Sequence, residues 1–411
     1  MKKPMNRRNF LRLSALTGVA TGIPFTAAAA SASTTGAASQ ARVNRYVRLG
    51  RTNLEIADIS FGSSRLRTGE EHLVHHALDK GVNYIDTAES YTGGASETVI
   101  GKALKGRPRD DVIIATKASI GASDSAESIM DRLDDSLRRL QTDHVEVFFN
   151  HAVNDVNRLR NPEWFEFVER AKRQGKIQFT GMSGHGGYLI DCVNYAVDED
   201  MFDVMLLAHN FGEDPAFYEQ FTRAFDFVAN QTGLPAAMKR AKEKDVGIVA
   251  MKVLRGAKLN DMRPFEQNGH TYSQAAFKWA LRMDTTDAAV ISMTSTDLID
   301  EFLGASGETE ITQHDFELLE TYARMTDMTY CRHACNDCEG SCPFEVPISD
   351  VLRTRMYAVD YQDLAFAKDE YAGLGGGAAA CLGCDGKPCQ DACTHGLNIA
   401  KLCGPTHLML G

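Results

Sequence analysis

Three short apolar runs in this chain each end on a side chain that can carry or transfer a proton. The first, Val82–Ile85, leads into Asp86, and Tyr91 follows five positions later. The second ends at Lys117 and the third at His151. A lysine ammonium can stabilise a phenolate, whose ordinary pKa is near ~10, and an aspartate can hold that lysine. The four side chains together could donate a proton to a carbonyl oxygen.

Each of these residues, taken alone, has an ordinary structural explanation. An aspartate can cap the next helix, a tyrosine can lie in the core, a lysine is usually solvated, and a histidine is often a packing residue. What connects them is their position after three successive strands, because the carboxyl ends of parallel barrel strands meet at one face. The pattern therefore predicts a single site.

Strand-like and helical segments alternate along most of the chain. Strands are expected near residues 57, 82, 112, 145, 177, 202, 246 and 288, each followed by helical sequence. No Gly-x-Gly-x-x-Gly motif follows any of them, which disfavours an open dinucleotide-binding sheet. The alternation predicts an α/β fold, a (β/α)8 TIM barrel over residues 43–310.

A cysteine-rich segment follows the barrel, and residues 311–411 are predicted to form a small, mostly helical module. Two runs, C-x3-C-x2-C-x3-C-P and C-x2-C-x4-C-x3-C, resemble the bacterial ferredoxin spacing C-x2-C-x2-C-x3-C-P. We therefore expect 4Fe–4S clusters, two of them if both runs are functional. The candidate ligands are Cys331, Cys335, Cys338, Cys342, Cys381, Cys384, Cys389 and Cys393.

The competing interpretation of this segment is structural zinc, which also uses four cysteines. The spacing does not say which cysteines share a cluster, because in two-cluster ferredoxins the fourth cysteine of a run binds the other cluster. Cys192 and Cys403 lie apart from this clustering and are expected to be packing residues.

The N-terminus carries the features of an export signal. Asn6–Leu11 contains Arg7-Arg8, an Ala/Gly/Thr-rich run follows, and Ala30-Ser31-Ala32 offers a cleavage site. Residues 1–40 are therefore predicted to be a twin-arginine signal and linker, which implies a periplasmic or otherwise extracytoplasmic protein. If the signal is not functional, the protein would be cytoplasmic.

The net charge and the lengths of the apolar runs limit the kinds of partner that this protein could bind. The formal net charge of −11 gives no basic surface for nucleic acid. The apolar runs after Arg42 are much shorter than the roughly 20 residues that a membrane span needs. A small-molecule carbonyl or alcohol and a redox partner protein are the partners that we expect. Among the expected loops, only Arg65, Arg67, His185 and Arg255 suggest an anionic ligand.

Val82–Tyr91, Ile114–Lys117 and Phe149–His151 resemble the active-site motifs of the aldo/keto reductase superfamily. The resemblance extends from about Tyr46 to Ala305 and includes Arg48–Thr52, Ala95–Leu104 and Gly181–His185. The cysteine segment and the signal resemble a subgroup with a C-terminal ferredoxin-type 4Fe–4S segment.

This resemblance implies roles for individual residues. Tyr91 would be the general acid, Lys117 and Asp86 would tune it, and His151 would orient the substrate. Ser183 would hold the nicotinamide carboxamide of NAD(H) or NADP(H). The other residues assigned to the nucleotide site are Gly62, Ser63 and Met251.

The chain departs from the family pattern around the nucleotide. Leu206 stands where the family has a glutamine, and Met251 stands where it has a stacking aromatic ring. No lysine or arginine occurs from Met283 to Ala323, where the family holds the adenosine 2′-phosphate. A phosphate without a cation loses charge-assisted contacts, so NAD(H) or weak nucleotide binding is favoured over NADPH.

Three functions remain open at this point. The chain could be an aldo/keto reductase-like oxidoreductase with electron-transferring clusters, or an exported electron-transfer protein whose barrel no longer binds a nucleotide. The cysteine segment could also be a structural metal module on an ordinary reductase. An insertion at 211–233 that carries Phe217, Tyr218, Phe221, Phe225 and Phe227 could be a lid, although a helix packing its own aromatic stripe is favoured.

Overall fold

The computed structural model describes residues 41–219, 231–255, 261–267, 269–326, 330–332, 335, 337–375 and 377–411, without the side chains of residues 216 and 339. The predicted signal and three aromatic residues of the insertion, Phe221, Phe225 and Phe227, lie outside the described residues. The described strands are β1 (Tyr46–Arg48), β2 (Glu55–Ala57), β3 (Ile59–Gly62), β4 (Tyr84–Asp86), β5 (Ile113–Ala118), β6 (Val145–Asn150), β7 (Ile177–Gly184), β8 (Val204–Ala208), β9 (Gly247–Met251) and β10 (Ala288–Ser292).

Helices follow the strands in alternation and continue into the C-terminal region. The described helices are α1 (Glu71–Asp79), α2 (Ala95–Leu104), α3 (Ala126–Leu140), α4 (Val156–Leu159), α5 (Pro162–Arg173), α6 (Leu189–Asp198), α7 (Pro215–Glu219), α8 (Leu234–Glu243), α9 (Tyr272–Leu281), α10 (Thr296–Leu303), α11 (Gln313–Thr326), α12 (Ile348–Val359), α13 (Leu364–Ala372), α14 (Pro388–Ala392) and α15 (Ile399–Leu410).

Strands β3 to β10 form a closed parallel barrel. Each pairs with the next along the chain, and β10 returns to pair with β3, with Val290 opposite Ser60. This closure confirms the predicted (β/α)8 barrel. It also brings the carboxyl ends of β4, β5 and β6 to one face, where the proton-transferring residues were expected.

The barrel has two apolar layers, one in its interior and one between its strands and the surrounding helices. Adjacent residues of β6 belong to different layers. Phe149 lies in the interior core with Tyr84 and Val249. Phe148 points outward and packs against Trp164 and Phe167 of α5, at ring-centroid distances of 6.3 and 5.3 Å. Successive strand residues face opposite sides, so one continuous apolar run fills both layers.

The surrounding helices begin and pack as their sequences indicate. The Ser125 hydroxyl accepts a hydrogen bond from the Ser128 amide at 3.2 Å and caps α3. The residues that α3 buries recur at helical spacing and include Ile129, Leu133 and Leu137. The predicted helix from Ser125 to Leu140 is therefore observed with Ser125 as its cap.

The hairpin of β1 and β2 closes the amino end of the barrel. Its strands pair antiparallel, and Leu49 in the connecting turn is fully buried in the interior core. The Arg51 amide donates to the Asp245 carbonyl at 2.6 Å. Gly50 has φ +48°, and a Cβ built there would lie 2.2 Å from the Gly247 nitrogen. Only glycine fits this contact.

The C-terminal region builds a separate core beyond α11. Val346, Val351 and Ile399 are buried there, together with Cys338 and Cys403. Helices α12, α13 and α15 pack around this core. No helix in the described part of the chain is long and apolar enough to cross a membrane.

Helices α12 and α13 are tied to the barrel mouth by an arginine. Arg65, in the loop after β3, contacts the Asp363 carboxylate at 3.0 Å, and its guanidinium lies 4.7 Å from the Tyr361 ring centroid. Arg67 contacts the same carboxylate. Both arginines, which the sequence suggested as anion ligands, thus bind a carboxylate of the chain itself.

The described part of the aromatic insertion packs inward. Phe217 of α7 is buried, with ring-centroid distances of 5.1 Å to Trp279 and 5.5 Å to Phe316. This is the packing role that the sequence favoured over a lid, for the portion up to Glu219.

We predict that Gly50→Ala destabilises the barrel much more than Gly106→Ala does. Both glycines have positive φ, but a Cβ at Gly106 meets nothing within 4 Å, so only the backbone cost of about 1–2 kcal/mol applies there. At Gly50 the clash with Gly247 adds to that cost, and we expect a total of about 3–5 kcal/mol. Urea unfolding followed by circular dichroism measures both free energies, and equal losses would contradict the role of the close contact between Gly50 and Gly247.

Candidate active site

Four polar side chains converge at the carboxyl end of the barrel, as the sequence predicted. Asp86 ends β4, Tyr91 lies in the following turn, Lys117 lies in β5, and His151 follows β6. All four line one cavity of about 880 Å³ at the barrel mouth. The site is therefore a pocket built by neighbouring strands.

The Lys117 ammonium is the centre of this group. Its Nζ lies 2.8 Å from Asp86 Oδ1 and 2.7 Å from Oδ2, and it donates to the Thr87 carbonyl at 2.6 Å. Lys117 is fully buried and Asp86 nearly so. Burial lowers the pKa of Lys117 and raises that of Asp86, while the contact between them opposes both shifts. A buried ion pair of this kind is costly unless its hydrogen bonds are satisfied.

Tyr91 completes the network. Lys117 Nζ lies 3.3 Å from the Tyr91 hydroxyl oxygen and 4.7 Å from its ring centroid. Burial and then the Asp86 charge raise the pKa of Tyr91 well above its usual value. Tyr91 is therefore protonated at neutral pH and can act as a donor, with the ammonium placed to stabilise the phenolate left behind.

His151 is held as a neutral imidazole. Burial and then the charges of Lys117 and Arg158 lower its pKa to about 3, so it does not titrate between pH 5 and 8. Its ring contacts Tyr91 edge to face at a centroid distance of 5.6 Å. The sequence missed Arg158, which donates to the His151 carbonyl at 2.8 Å and to Asn150 Oδ1 at 2.9 Å. Arg158 positions the loop that carries the imidazole.

The residues assigned to a nucleotide occupy two kinds of position. Gly62, Ser183 and Met251 line the cavity. Ser183 Oγ accepts from the Ala152 amide at 2.9 Å, which fixes the residue that follows His151. Ser63 is buried behind the wall, and its hydroxyl donates to the Asp86 carbonyl at 2.7 Å. Ser63 thus supports the strand end that carries Asp86.

Leu206 also lines the cavity, opposite Ser183 in the strand pairing. Its side chain offers no amide for a nicotinamide. Met251 offers sulfur in place of an aromatic face. These positions therefore fit a nicotinamide only in part.

The C-terminal region supplies a wall of the same cavity, which the sequence did not indicate. Tyr357 and Glu370 are close enough to Tyr91 to raise its pKa. Arg353 lines the wall and contacts Asp350 at 3.4 Å. No motif marks these residues, because their position depends on how α12 and α13 pack.

The eight clustered cysteines fall into two groups. Burial and the neighbouring thiols of Cys338, Cys335 and Cys393 raise the pKa of Cys331 to about 12. Burial and the neighbouring thiols of Cys342, Cys389 and Cys384 likewise raise the pKa of Cys381. Each group thus takes three cysteines from one run and one from the other.

The two cysteine groups open into different spaces. Cys331 and Cys335 line the large cavity, while the four cysteines of the second group line a small apolar pocket with Pro343 and Ile348. Ligand atoms of Cys335, Asp337 and His395 also lie within 4.8 Å of one another. Cys192 is buried in the main apolar core, away from both groups. Cys403 is buried in the C-terminal core, where its thiol lies against that of Cys381.

Comparisons with known proteins identify the barrel. The chain is 26% identical over 309 residues to L-galactose dehydrogenase of Arabidopsis thaliana, covering 66% of this chain and 91% of the relative. It is 31% identical over 175 residues to 6-dehydroglucose reductase of Novosphingobium aromaticivorans, covering 38% of this chain and 57% of that protein.

A solved aldo-keto reductase from Bacillus halodurans in its holo form has the same fold, with a TM-score of 0.52 and 23% identity over 67% of this chain and 95% of that one. The model of the aldo/keto reductase family matches residues 58–265, which include Asp86, Tyr91, Lys117 and His151. The chain therefore belongs to the aldo/keto reductase family and is an oxidoreductase of that type.

Proposed function

We propose that the barrel reduces a carbonyl, or oxidises the corresponding alcohol, with Tyr91 as the proton donor. The observation that carries this proposal is the placement of Lys117 Nζ, which contacts both the Asp86 carboxylate and the Tyr91 hydroxyl at the cavity wall. A proton donor needs this arrangement, because its conjugate base must be stabilised as the proton leaves.

The chain's own residues divide the proton-transfer step between them. Tyr91 donates to the carbonyl oxygen while charge develops there, and Lys117 stabilises the resulting phenolate. Asp86 holds the ammonium in place. His151, which is neutral, donates a hydrogen bond to the same oxygen and orients the substrate. In alcohol oxidation Tyr91 accepts the proton instead.

The electron source is the second part of the proposal. A nicotinamide, when bound, supplies a hydride to the carbonyl carbon. NAD(H) suits this chain better than NADP(H), because Met283 to Ala323 contains no lysine or arginine for a 2′-phosphate.

We further propose that the eight cysteines hold two 4Fe–4S clusters, which carry single electrons. The fourth cysteine of each run lies with the first three cysteines of the other run, which supports this proposal. In two-cluster ferredoxins the fourth cysteine of a run likewise binds the other cluster. Structural zinc remains the competing assignment, and the proximity of Cys335, Asp337 and His395 is compatible with it.

A second function is favoured by a specific feature of the cavity. Cys331 and Cys335 line the space that also contains Leu206 and Met251 in place of nucleotide-binding residues. An electron-transfer protein that docks a redox partner and no longer binds a nucleotide would have this combination. The twin-arginine signal that we propose for residues 1–40 fits either function, since this route exports folded proteins with their cofactors.

We expect Tyr91→Phe to lower kcat for carbonyl reduction by about 100-fold or more, because the proton donor is lost. Cluster absorbance should not change. Tyr361→Phe is the matched control, since Tyr361 also lines the cavity but its hydroxyl lies outside the network. A panel of aldehydes and ketones with anaerobically purified protein measures both. Loss of cluster absorbance together with activity would make Tyr91 a structural residue instead.

Nucleotide binding separates the two functions. If the barrel uses NAD(H), NADH should raise the melting temperature, with a stabilisation of about 2.7 kcal/mol when it exceeds Kd by 100-fold. NADPH should bind no more tightly. If neither nucleotide in large excess changes the melting temperature or the protein fluorescence, the nicotinamide-dependent function fails and the electron-transfer function takes its place.

Paired cysteine variants test the clusters and their grouping. The intact protein should hold about eight irons with equal acid-labile sulfide. Cys331→Ser combined with Cys393→Ser should lose about half of the iron, since both substitutions affect one cluster. Cys331→Ser combined with Cys342→Ser should lose nearly all of it.

Cys192→Ser, outside both groups, is the control and should keep the full iron content. Stoichiometric zinc without sulfide would overturn the iron–sulfur assignment. The opposite pattern for the two double variants would overturn the grouping.

A further inference from the structure

Three polar side chains that follow β8 and β9 line the cavity and carry polar atoms without a hydrogen-bond partner. Asn210 and Glu213 follow β8, are 1% and 3% exposed, and line the cavity. Asn210 Nδ2 and both carboxylate oxygens of Glu213 have no hydrogen-bond partner. Lys252 follows β9 and lines the same cavity. Its carbonyl accepts from the Arg255 amide at 2.9 Å, but no hydrogen bond or ion pair joins its ammonium to another described residue.

The backbone holds these three residues in fixed positions. The Glu213 amide donates to the Asn210 carbonyl at 3.0 Å, and Asn210 Oδ1 accepts from the Gly212 amide at 2.8 Å. That contact orients the Asn210 side chain and leaves its NH2 group directed elsewhere. The His209 amide donates to the Met251 carbonyl at 3.1 Å, which ties the two strand ends together. Lys252 itself has a left-handed backbone, with φ +59°.

The charges of this wall act on one another and on the active site. Burial raises the pKa of Glu213 to about 8, although Arg255 and Lys252 oppose the shift. Lys252 is also close enough to His151 to lower its pKa. The wall therefore lies within electrostatic reach of the residue that orients the substrate.

Buried polar groups without partners are unfavourable, and native proteins usually keep them for a ligand or a function. The groups here are an amide donor, a carboxyl and an ammonium. A hydroxyl group satisfies all three, because it donates to a carboxylate oxygen and accepts from an amide or an ammonium. A phosphate offers mainly acceptors, so it would leave an acceptor oxygen of Glu213 without a donor whether or not that group is ionised.

We propose that Asn210, Glu213 and Lys252 form a hydroxyl-binding subsite that holds the polyol part of a hydroxyl-rich carbonyl substrate. The subsite gives the proposed reductase a substrate class, and in that respect it rests on the proposed function. Binding of a polyol does not require the reaction, so the two can be tested separately.

Binding of sorbitol to the intact, cluster-loaded protein is the direct test, with 1,6-hexanediol as the ligand of equal chain length but few hydroxyls. Calorimetric titration should show binding of sorbitol and none, or about tenfold weaker binding, of the diol. Glu213→Gln and Lys252→Met should each weaken sorbitol binding by about tenfold or more. Asp369→Asn, which changes an exposed carboxylate that also lines the cavity, is the matched control and should leave binding unchanged.

A second test compares the KM values of two aldehydes, one hydroxylated and one aliphatic. For Glu213→Gln, KM should rise for a hydroxylated aldehyde and stay within about twofold for the aliphatic aldehyde of equal length. Equal binding of sorbitol and the diol, or equal loss in Asp369→Asn, would overturn the subsite. If NADH displaces sorbitol from the intact protein, and Glu213→Gln and Lys252→Met each weaken NADH binding, these residues belong to the nucleotide site and the subsite is overturned.

The outcomes separate this inference from the proposed function. If carbonyls are reduced but the variants show no preference for hydroxylated ligands, the subsite fails and the reductase stands. If sorbitol binding depends on Glu213 but no carbonyl is reduced, the subsite stands and the reductase fails.

Discussion

The buried ion pair between Lys117 and Asp86 is the interaction on which the site depends. Removing two charges from water costs several kcal/mol per ion, and only good geometry and further hydrogen bonds offset that cost. The barrel provides both, because Asp86 ends one strand, Lys117 lies in the next, and the Thr87 carbonyl accepts the remaining contact. A pair this costly contributes little to stability. What it does provide is an ammonium held beside the Tyr91 hydroxyl, where a phenolate would form in the proposed proton transfer.

The C-terminal region forms part of the wall of this site and brings the clustered cysteines to it. The contact of Arg65 with Asp363 fixes α12 and α13 over the barrel mouth, and residues of these helices then form one wall of the cavity. Because Cys331 and Cys335 line the same cavity, the proposed clusters and the proton donor would share one space.

The sequence predicted well what depends on local pattern. The strand ends at Asp86, Lys117 and His151 follow from apolar runs and from strand–helix alternation, and closure of the barrel brings them together. It did not predict Ser63 as a buried support of Asp86, or Arg65 as a contact to the C-terminal region. Both contacts depend on which residue lies beside the serine or the arginine once the chain has packed. The sequence of a loop does not reveal that neighbour. The grouping of the cysteines was open for the same reason, since identical spacing serves either pairing.

The number of protons required distinguishes the two sources of electrons. A carbonyl becomes an alcohol when it takes up one hydride and one proton. One-electron transfer needs two electrons and two separate protons for the same change. The network around Lys117 is built for one donor, since its ammonium has one hydroxyl partner, Tyr91, besides the carboxylate and the backbone carbonyl. An intact network of this kind matches hydride chemistry. A barrel that only passed electrons to a partner would gain nothing from keeping a buried lysine beside a tyrosine, and the cost of that ion pair therefore argues for carbonyl chemistry in the barrel.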